Sequence, residues 1–248
     1  MTEFPSELTA ALGKARCVTV LTGAGVSAES GVPTFRDAQT GIWAQFRPEE
    51  LATPEAFAAN PERVWKWYAW RRQMVAGAKP NPGHLALVAL ERKVTQFTLI
   101  TQNVDGLHQR AGSRNVIELH GNISRVKCSA ENIVVTEYDE DGGVPPRCRR
   151  CGAFLRPDVV WFGENLPEAA LSAAERASEK CDVFFSIGTS AVVYPAAALP
   201  HAALDSGAIL VEINPQRTPL TADADFFLQG PSGVILPALL KATWPDAA

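Results

Sequence analysis

The chain alternates short, strongly apolar runs with longer segments of helical character. Six such runs occur, at residues 17–21, 97–101, 116–119, 183–187, 209–213 and 225–228. The last three are apolar on both faces, which is typical of strands buried in a parallel sheet. The alternation predicts an α/β fold: a Rossmann-like, mostly parallel sheet with helices on both faces.

Two segments interrupt this alternation. Residues 37–80 are helical in character and rich in tryptophan, and residues 124–156 are polar and contain clustered cysteines. We expect the 248 residues to form one domain with two lobes. The larger, Rossmann-like lobe would contain residues 1–36, 81–123 and 157–248, and the smaller lobe the helical insertion and a zinc-ribbon-like module.

Composition excludes several classes of protein. The hydrophobic content is 46% and the net charge is -4, which gives no general attraction to nucleic acid or anionic membranes. The start, MTEFPSELTA, has acidic residues where a secretory signal needs basic ones. The uncharged stretch 183–204 is interrupted by glycine and proline, which disfavours a membrane span. We therefore expect a cytoplasmic monomer without nucleic-acid or membrane partners.

A glycine-rich turn follows the first apolar run. Residues 22–31 read TGAGVSAESG and satisfy G-x-G-x-x-G/A, with Ala28 in the last place. Glycines let the backbone approach a pyrophosphate, and the amides at the start of the next helix attract its charge. Taken alone, the loop fits a tight turn without a ligand equally well.

One predicted helix carries a charge on its apolar face. Residues 64–74 read VWKWYAWRRQM, and as a helix they align Val64, Trp67, Tyr68, Arg71 and Val75 on one stripe. Burying an unpaired charge is costly. The arginine on this stripe therefore either pairs with a carboxylate of the chain or receives an anion from outside it.

Six motifs stand in a fixed order along most of the chain. They are GAGVSAESGVPTFRD at 23–37, TQNVDGLHQRAG at 101–112, ELHGN at 118–122, VVWFGE at 159–164, GTSAVVYP at 188–195 and INPQ at 213–216. Together they resemble the sirtuins, which are NAD-dependent protein lysine deacylases. The resemblance implies acylated lysines of proteins as substrates, with release of nicotinamide and O-acyl-ADP-ribose.

His120 is the general base implied by the resemblance. It would take a proton from a ribose hydroxyl, which suits an imidazole at the end of a predicted strand. The structural alternative is a core histidine bonded to a backbone carbonyl. We expect the other histidines, His84, His108 and His201, to be structural.

The remaining cofactor contacts are also assigned by resemblance. Asp105 and Asn103 would meet the nicotinamide and ribose, although turn formation and helix capping could also explain them. Phe35 would cover the reactive ribose face, and Arg36 would brace the cofactor loop. The residues expected to contact NAD are Gly23, Ala24, Gly25, Ser27, Phe35, Arg36, Gln102, Asn103, Asp105, Gly188, Thr189, Ser190, Asn214, Gln216 and Ser232.

Two further sets of residues concern the substrate. The segment Val160, Trp161, Phe162 and Gly163 is expected to pair with the substrate peptide as an added strand. Tyr68 and Arg71 are spaced Y-x-x-R, which resembles the class III sirtuins that remove acidic acyl groups. Succinyl, malonyl and glutaryl groups end in a carboxylate that these side chains can bind, whereas acetyl, also a possible substrate group, has none.

The cysteines predict a metal site with an altered ligand set. Five cysteines without an export signal argue against a disulfide framework. Cys148 and Cys151 form one C-x-x-C pair, but the second pair, which begins at Cys128, has Glu131 in place of a cysteine. We expect structural zinc on the three thiolates. Glu131, Asn132 or water are the candidate fourth ligands, and loss of the metal is the rival.

Other functions share parts of this evidence. A protein ADP-ribosyltransferase would use the same nicotinamide-cleaving step, and a non-catalytic NAD sensor would use the pocket without a general base. A zinc-ribbon nucleic-acid binder has only the basic cluster 147–150 in its favour, against the acidic overall charge.

Overall fold

The computed structural model describes residues 4–33, 46–139 and 143–245. Its helices are α1 Ser6–Lys14, α2 Gly25–Ala28, α3 Pro48–Leu51, α4 Pro54–Ala59, α5 Pro61–Gly77, α6 Pro82–Glu91, α7 Leu107–Ala111, α8 Glu168–Glu179, α9 Leu199–Asp205 and α10 Ser232–Thr243. Its strands are β1 Cys17–Thr22, β2 Gln96–Thr101, β3 Val116–Glu118, β4 Gly121–Cys128, β5 Val134–Val135, β6 Leu155–Val159, β7 Val183–Ile187, β8 Ile209–Asn214 and β9 Phe226–Gln229.

The large sheet has six parallel strands in the order β3-β2-β1-β7-β8-β9. All six apolar runs read from the sequence are strands of this sheet, so the predicted α/β fold is confirmed. Strand order reverses between β1 and β7. In open α/β sheets, ligands bind at such a switch point, beyond the carboxyl ends of the strands.

Apolar layers cover both faces of this sheet. On β7, Phe185 belongs to a layer with Leu8 of α1 and Leu87 of α6. Its neighbour Phe184 belongs to the opposite layer, with Leu199 of α9. Successive strand residues therefore pack on opposite faces, which explains why these strands are apolar throughout.

The second unit combines α3, α4 and α5 with an antiparallel sheet in the order β5-β4-β6. Helix α5 begins where the Asn60 side chain accepts the Arg63 amide at 2.9 Å and Pro61 occupies the first turn. The apolar stripe of α5 packs against Ile123 and Trp161, beside the two long strands of the small sheet. The division into lobes at the residues given above stays a prediction.

No helix in the described ranges is both long and apolar enough to cross a membrane.

Candidate active site

Two glycine loops touch at the switch point. The Gly23 amide donates to Ile187 O at 3.0 Å, and the Gly25 amide donates to Gly188 O at 2.8 Å. Gly188 has φ +60°, and a Cβ there would lie 2.5 Å from Val26 N. A side chain at this position would separate the loops. The contact builds a narrow backbone cradle at the carboxyl ends of β1 and β7, which fits a pyrophosphate.

Ser27 joins the cradle to the predicted nicotinamide contacts. Its hydroxyl donates to Asp105 Oδ2 at 2.7 Å and accepts from Asn103 Nδ2 at 3.2 Å. Asn103 Nδ2 also donates to Gly23 O at 3.0 Å, and the Leu107 amide donates to Asp105 Oδ1 at 2.8 Å. The turn chemistry considered for Asp105 is therefore present, and it orients the carboxylate beside the glycine loop.

A buried histidine pair lies behind this network. His84 Nδ1 accepts the Asn81 amide, so its protonated Nε2 faces Ser27 Oγ at 3.4 Å. His108 Nε2 lies 2.9 Å from Thr22 Oγ1, and the two imidazole centres are 4.9 Å apart. Burial lowers the pKa of His84 and, together with His84, lowers the pKa of His108 to about 3. Both rings are therefore neutral near pH 7.

The contact between His84 and Ser27 was missed in the sequence. Its local signal is the helix start Asn81-Pro82-Gly83-His84, in which Asn81 caps α6 and His84 occupies the third helical position. That signal places the imidazole at the first turn of the helix. The signal does not indicate that the start of α6 lies against the glycine loop that contains Ser27.

His120 is held in one tautomer. Its Nδ1 lies 2.8 Å from Gln102 O, and because a carbonyl only accepts, the proton is on Nδ1. Nε2 consequently carries a lone pair. Burial lowers the pKa of His120, while the bond to Gln102 raises it. The Gln102 side chain donates to Thr189 Oγ1 at 3.1 Å, which links His120 through Gln102 to the second glycine loop.

The backbone around His120 is also fixed. Gly121 has φ +79°, and a Cβ there would lie 2.1 Å from Asp158 O, so no larger residue fits. The Val160 amide donates to His120 O at 2.9 Å. This bond ties the histidine to the predicted substrate segment.

Side-chain contacts also hold the turn at His120 from both sides. Asn122 Nδ2 donates to Glu118 Oε1 at 2.7 Å, across His120. Arg125 pairs with Glu118 Oε2 at 2.7 Å and with Asp158 Oδ2 at 2.8 Å. Polar contacts to both sheets thus hold the turn that carries His120, and no sequence motif indicated them.

Tyr68 and Arg71 lie together on the buried face of α5. Tyr68 is 1% exposed and Arg71 9%. The Trp161 indole donates to the Tyr68 hydroxyl at 3.0 Å, and the Arg71 guanidinium carbon lies 5.1 Å from the centre of the Trp67 ring. Burial lowers the pKa of Arg71 and raises that of Tyr68. The Arg71 cation and the neutral Tyr68 hydroxyl therefore lie buried among apolar side chains.

The predicted substrate segment forms a turn directly after β6. Besides the Val160 bond, the Phe162 amide donates to Ala52 O at 2.9 Å, and the Trp161 amide donates to Glu164 Oε2 at 2.8 Å. These three N–H groups are engaged inside the chain. They are therefore not available to a peptide added as a strand.

A cavity of about 740 Å³ opens on the neighbouring flank of α5. Trp65, Arg72, Asp105, Ser124 and Tyr138 are among its lining residues. The Arg72 guanidinium stacks 4.7 Å from the Trp65 ring centre. The cavity thus borders the predicted nicotinamide contact Asp105. Two arginines, Arg72 and Arg110, line it, and Arg72 is the sequence neighbour of Arg71.

The predicted ribose and adenosine contacts lie along the ends of β7 and β8. Asn214 Nδ2 donates to Thr189 O at 2.8 Å, so the two residues form one surface. Ser190 is half-buried beside them, and Gln216 is exposed in the following loop.

The predicted contact Ser232 lies apart from these residues. Ser232 begins α10, and its hydroxyl faces Glu29 Oε2 at 3.4 Å beside Gly83. Phe35 and Arg36 lie outside the described residues.

The cysteine module brings four ligand atoms together. One from each of Cys128, Glu131, Cys148 and Cys151 lies within 4.8 Å of the others. The sulfurs of Cys128 and Cys151 are 3.4 Å apart, close to the spacing of about 3.8 Å for thiolates around tetrahedral zinc. Backbone amides of Cys151 and Arg150 lower the pKa of Cys148, which favours a thiolate. The donor set is consistent with structural zinc.

The fold and the site define an α/β protein of the dinucleotide-binding class, with a histidine near the switch point of the sheet. Residues 23–195 match the Sir2 family. The chain belongs to that family, and the resemblance to the sirtuins is confirmed.

Relatives match over almost the whole chain. An NAD-dependent protein deacylase of Methylococcus capsulatus is 52% identical, over 97% of both chains. One of Aquifex aeolicus is 56% identical, over 84% of this chain and 87% of its own. A solved complex of a Sir2 homolog with NAD has a TM-score of 0.91 at 48% identity, covering 100% of this chain and 96% of that one. A complex of Sir2 with a p53 peptide and NAD+ has a TM-score of 0.85 at 33% identity, covering 98% and 100%.

Proposed function

We propose that this chain removes acyl groups from protein lysines with NAD as co-substrate. The observation that carries the proposal is the place of His120 beside the glycine loops. Its Nδ1 bonds Gln102 O at 2.8 Å, as in a structural histidine, but the Gln102 side chain bonds Thr189 of the second glycine loop at 3.1 Å. Nε2 is therefore a proton acceptor next to a backbone cradle for phosphates. Family membership and the NAD-dependent deacylase relatives support the same reaction.

In this proposal, each group of residues has a separate role. The loops of Gly23 and Gly188 hold the pyrophosphate, and Asp105, oriented by Ser27, holds the carboxamide. NAD, when bound, would supply the ribose carbon that bonds the acyl oxygen as the bond to nicotinamide breaks. His120, neutral because burial lowers its pKa, would take the proton of a ribose hydroxyl as that hydroxyl bonds the acyl carbon, and water would then release the free lysine.

Product analysis tests this reaction. The protein is incubated with NAD and an acyl-lysine peptide, and the products are identified by mass spectrometry. Deacylated peptide with O-acyl-ADP-ribose is the expected result. Protein-bound ADP-ribose would instead indicate an ADP-ribosyltransferase, and unchanged NAD would indicate a sensor.

The acyl group in this proposal is an acidic one, such as succinyl, malonyl or glutaryl. Arg71 and Tyr68 share one buried helix face, where a guanidinium offers a fork of donors and the hydroxyl one more. Bonds to a charged group contribute roughly 1.5 to 3 kcal/mol, which corresponds to about one to two orders of magnitude in preference over acetyl.

Arg71→Met tests the acidic preference, with Arg72→Met as its matched control. The measurement is the ratio of kcat/KM for succinyl-peptide to that for acetyl-peptide. We expect Arg71→Met to lower this ratio by about one to two orders of magnitude and Arg72→Met to leave it unchanged. An unchanged ratio in Arg71→Met would mean that Arg71 serves an internal ion pair. A drop in Arg72→Met alone would assign the acid to the neighbouring cavity.

Zinc in this proposal is held by Cys128, Cys148, Cys151 and, as fourth ligand, Glu131. The support is the convergence of three sulfurs and one carboxylate oxygen within 4.8 Å. The ion would cross-link the loops at the end of the small sheet.

A further inference from the structure

We propose that Trp161 is a positioning residue for acyl specificity, because its indole holds the Tyr68 hydroxyl as a hydrogen-bond donor towards the acyl carboxylate. The inference rests on the proposed acidic acyl group and assigns a specificity role to a side chain of the substrate segment.

The direction of the bond between the two side chains is unambiguous. An indole N–H can only donate, so Trp161 Nε1, 3.0 Å from the Tyr68 oxygen, makes that oxygen the acceptor. Trp161 is 3% exposed and Tyr68 1%, so water does not compete for this bond. The Tyr68 hydrogen therefore points away from the indole.

Among the described residues, the Tyr68 hydroxyl makes one hydrogen bond, which it accepts from Trp161. The hydrogen of this hydroxyl has no acceptor there. A buried donor without a partner is costly, so an acceptor supplied by a ligand would stabilise the site. Arg71 follows one helical turn later on the same face, and its charge favours an anionic acceptor over a neutral one. A carboxylate has two oxygens and matches both donors.

The Trp161 indole is itself immobilised. The Arg156 guanidinium carbon lies 3.2 Å from the centre of its ring, and Arg156 Nη2 donates to Glu164 Oε2 at 2.8 Å. The same carboxylate oxygen accepts the Trp161 amide. Phe57 packs on the ring with a centre distance of 5.3 Å. Backbone and ring are both fixed, so the direction of the indole N–H is preset.

A double-mutant cycle tests the proposal. The ratio of kcat/KM for succinyl-peptide to that for acetyl-peptide is measured in wild type, Trp161→Phe, Tyr68→Phe and the double variant. We expect Trp161→Phe to lower the ratio about three- to tenfold, as for loss of one hydrogen bond, and to have no further effect in the Tyr68→Phe background. An effect of equal size in both backgrounds, or none in either, would overturn the proposal.

Two controls separate the donor from the bulk of the ring. Trp65→Phe makes the same change on another flank of α5 and should leave the ratio unchanged. Replacing Trp161 by 3-benzothienylalanine substitutes sulfur for the indole N–H at nearly constant volume, so folding is preserved and the ratio should fall as in Trp161→Phe. A wild-type ratio with this analogue would contradict the proposal.

The measurements distinguish failure of the acidic acyl function from failure of the role of Trp161. If Arg71→Met leaves the ratio unchanged, the acidic acyl function fails. If Arg71→Met lowers the ratio and the Trp161 variants do not, the role of Trp161 alone is wrong.

Discussion

At the scale of one residue, the proposed chemistry depends on which nitrogen of His120 carries the proton. The bond to Gln102 O leaves Nε2 free to accept, and general-base catalysis contributes roughly a hundred- to ten-thousandfold to rate. We therefore expect His120→Ala to lose deacylation by such a factor while it still binds NAD. Single-turnover kinetics and NAD titration measure the two properties. Wild-type turnover in His120→Ala would remove this residue from the mechanism, and His201→Ala, on α9, is the control.

The dependence of kcat/KM on pH tests the same residue. Burial lowers the pKa of His120 below its ordinary value of 6.5. The base is then neutral at and above that pH, and kcat/KM should fall only on further acidification. An acid limb centred above 6.5 in wild type would contradict this assignment.

The residues at this site could be predicted from motifs, but their bonding could not. Gln102, Asn103 and Asp105 follow a strand in the sequence, and they do meet the glycine loop. The tautomer of His120 and the contact of His84 with Ser27 depend on groups 18 and 57 positions away in the chain. Spacing along a sequence carries no information about such pairs.

At the scale of elements, the six strands of the large sheet could be predicted because they are apolar throughout. The small sheet has no such signal. Arg125 and Lys127 of β4 both approach Asp158 of β6, at 2.8 and 3.9 Å, although the register partner of Lys127 is Arg156. From sequence alone, a polar strand of this kind is predicted as a loop, because the strand that pairs with it is not known.

The cysteine module provides a test at this scale. Glu131 contacts Arg150, with Oε2 to Nε at 3.4 Å, and its carboxylate is the hardest donor among the four proposed ligands. We expect Glu131→Cys to slow zinc loss to a chromophoric chelator and Glu131→Ala to accelerate it. Glu137→Ala, in the same module but outside the cluster, should behave as wild type.

Metal content of the purified protein completes this test. About one equivalent of zinc without added metal is expected for a four-ligand structural site. Well under one equivalent, with activity and unfolding temperature intact, would show that the module folds without the ion.

At the scale of the whole molecule, the buried histidine pair makes stability depend on pH. His108 has a pKa of about 3 in the folded chain against 6.5 for the free side chain. Between these values the unfolded state binds a proton that the folded state excludes, so stability is complete above the upper value and falls on acidification. The loss is roughly 1.4 kcal/mol per pH unit for one such group.

Denaturant titrations at several pH values measure this effect. We expect His108→Gln to show a flatter decline in the free energy of unfolding than wild type between about pH 6 and about pH 4. His201→Gln is the matched control. Equal slopes in wild type and His108→Gln would mean that other groups govern the acid sensitivity.

The chain passes between the two sheets at two neighbouring points. It enters the small sheet at His120–Gly121 and leaves it after Val159, where Gly121 pairs with Val159 and the Val160 amide bonds His120 O. These contacts tie the start of the segment 160–163 directly to the backbone of His120. A displacement of one relative to the other would have to break this pairing, so the backbone itself fixes the spacing between the imidazole and the segment.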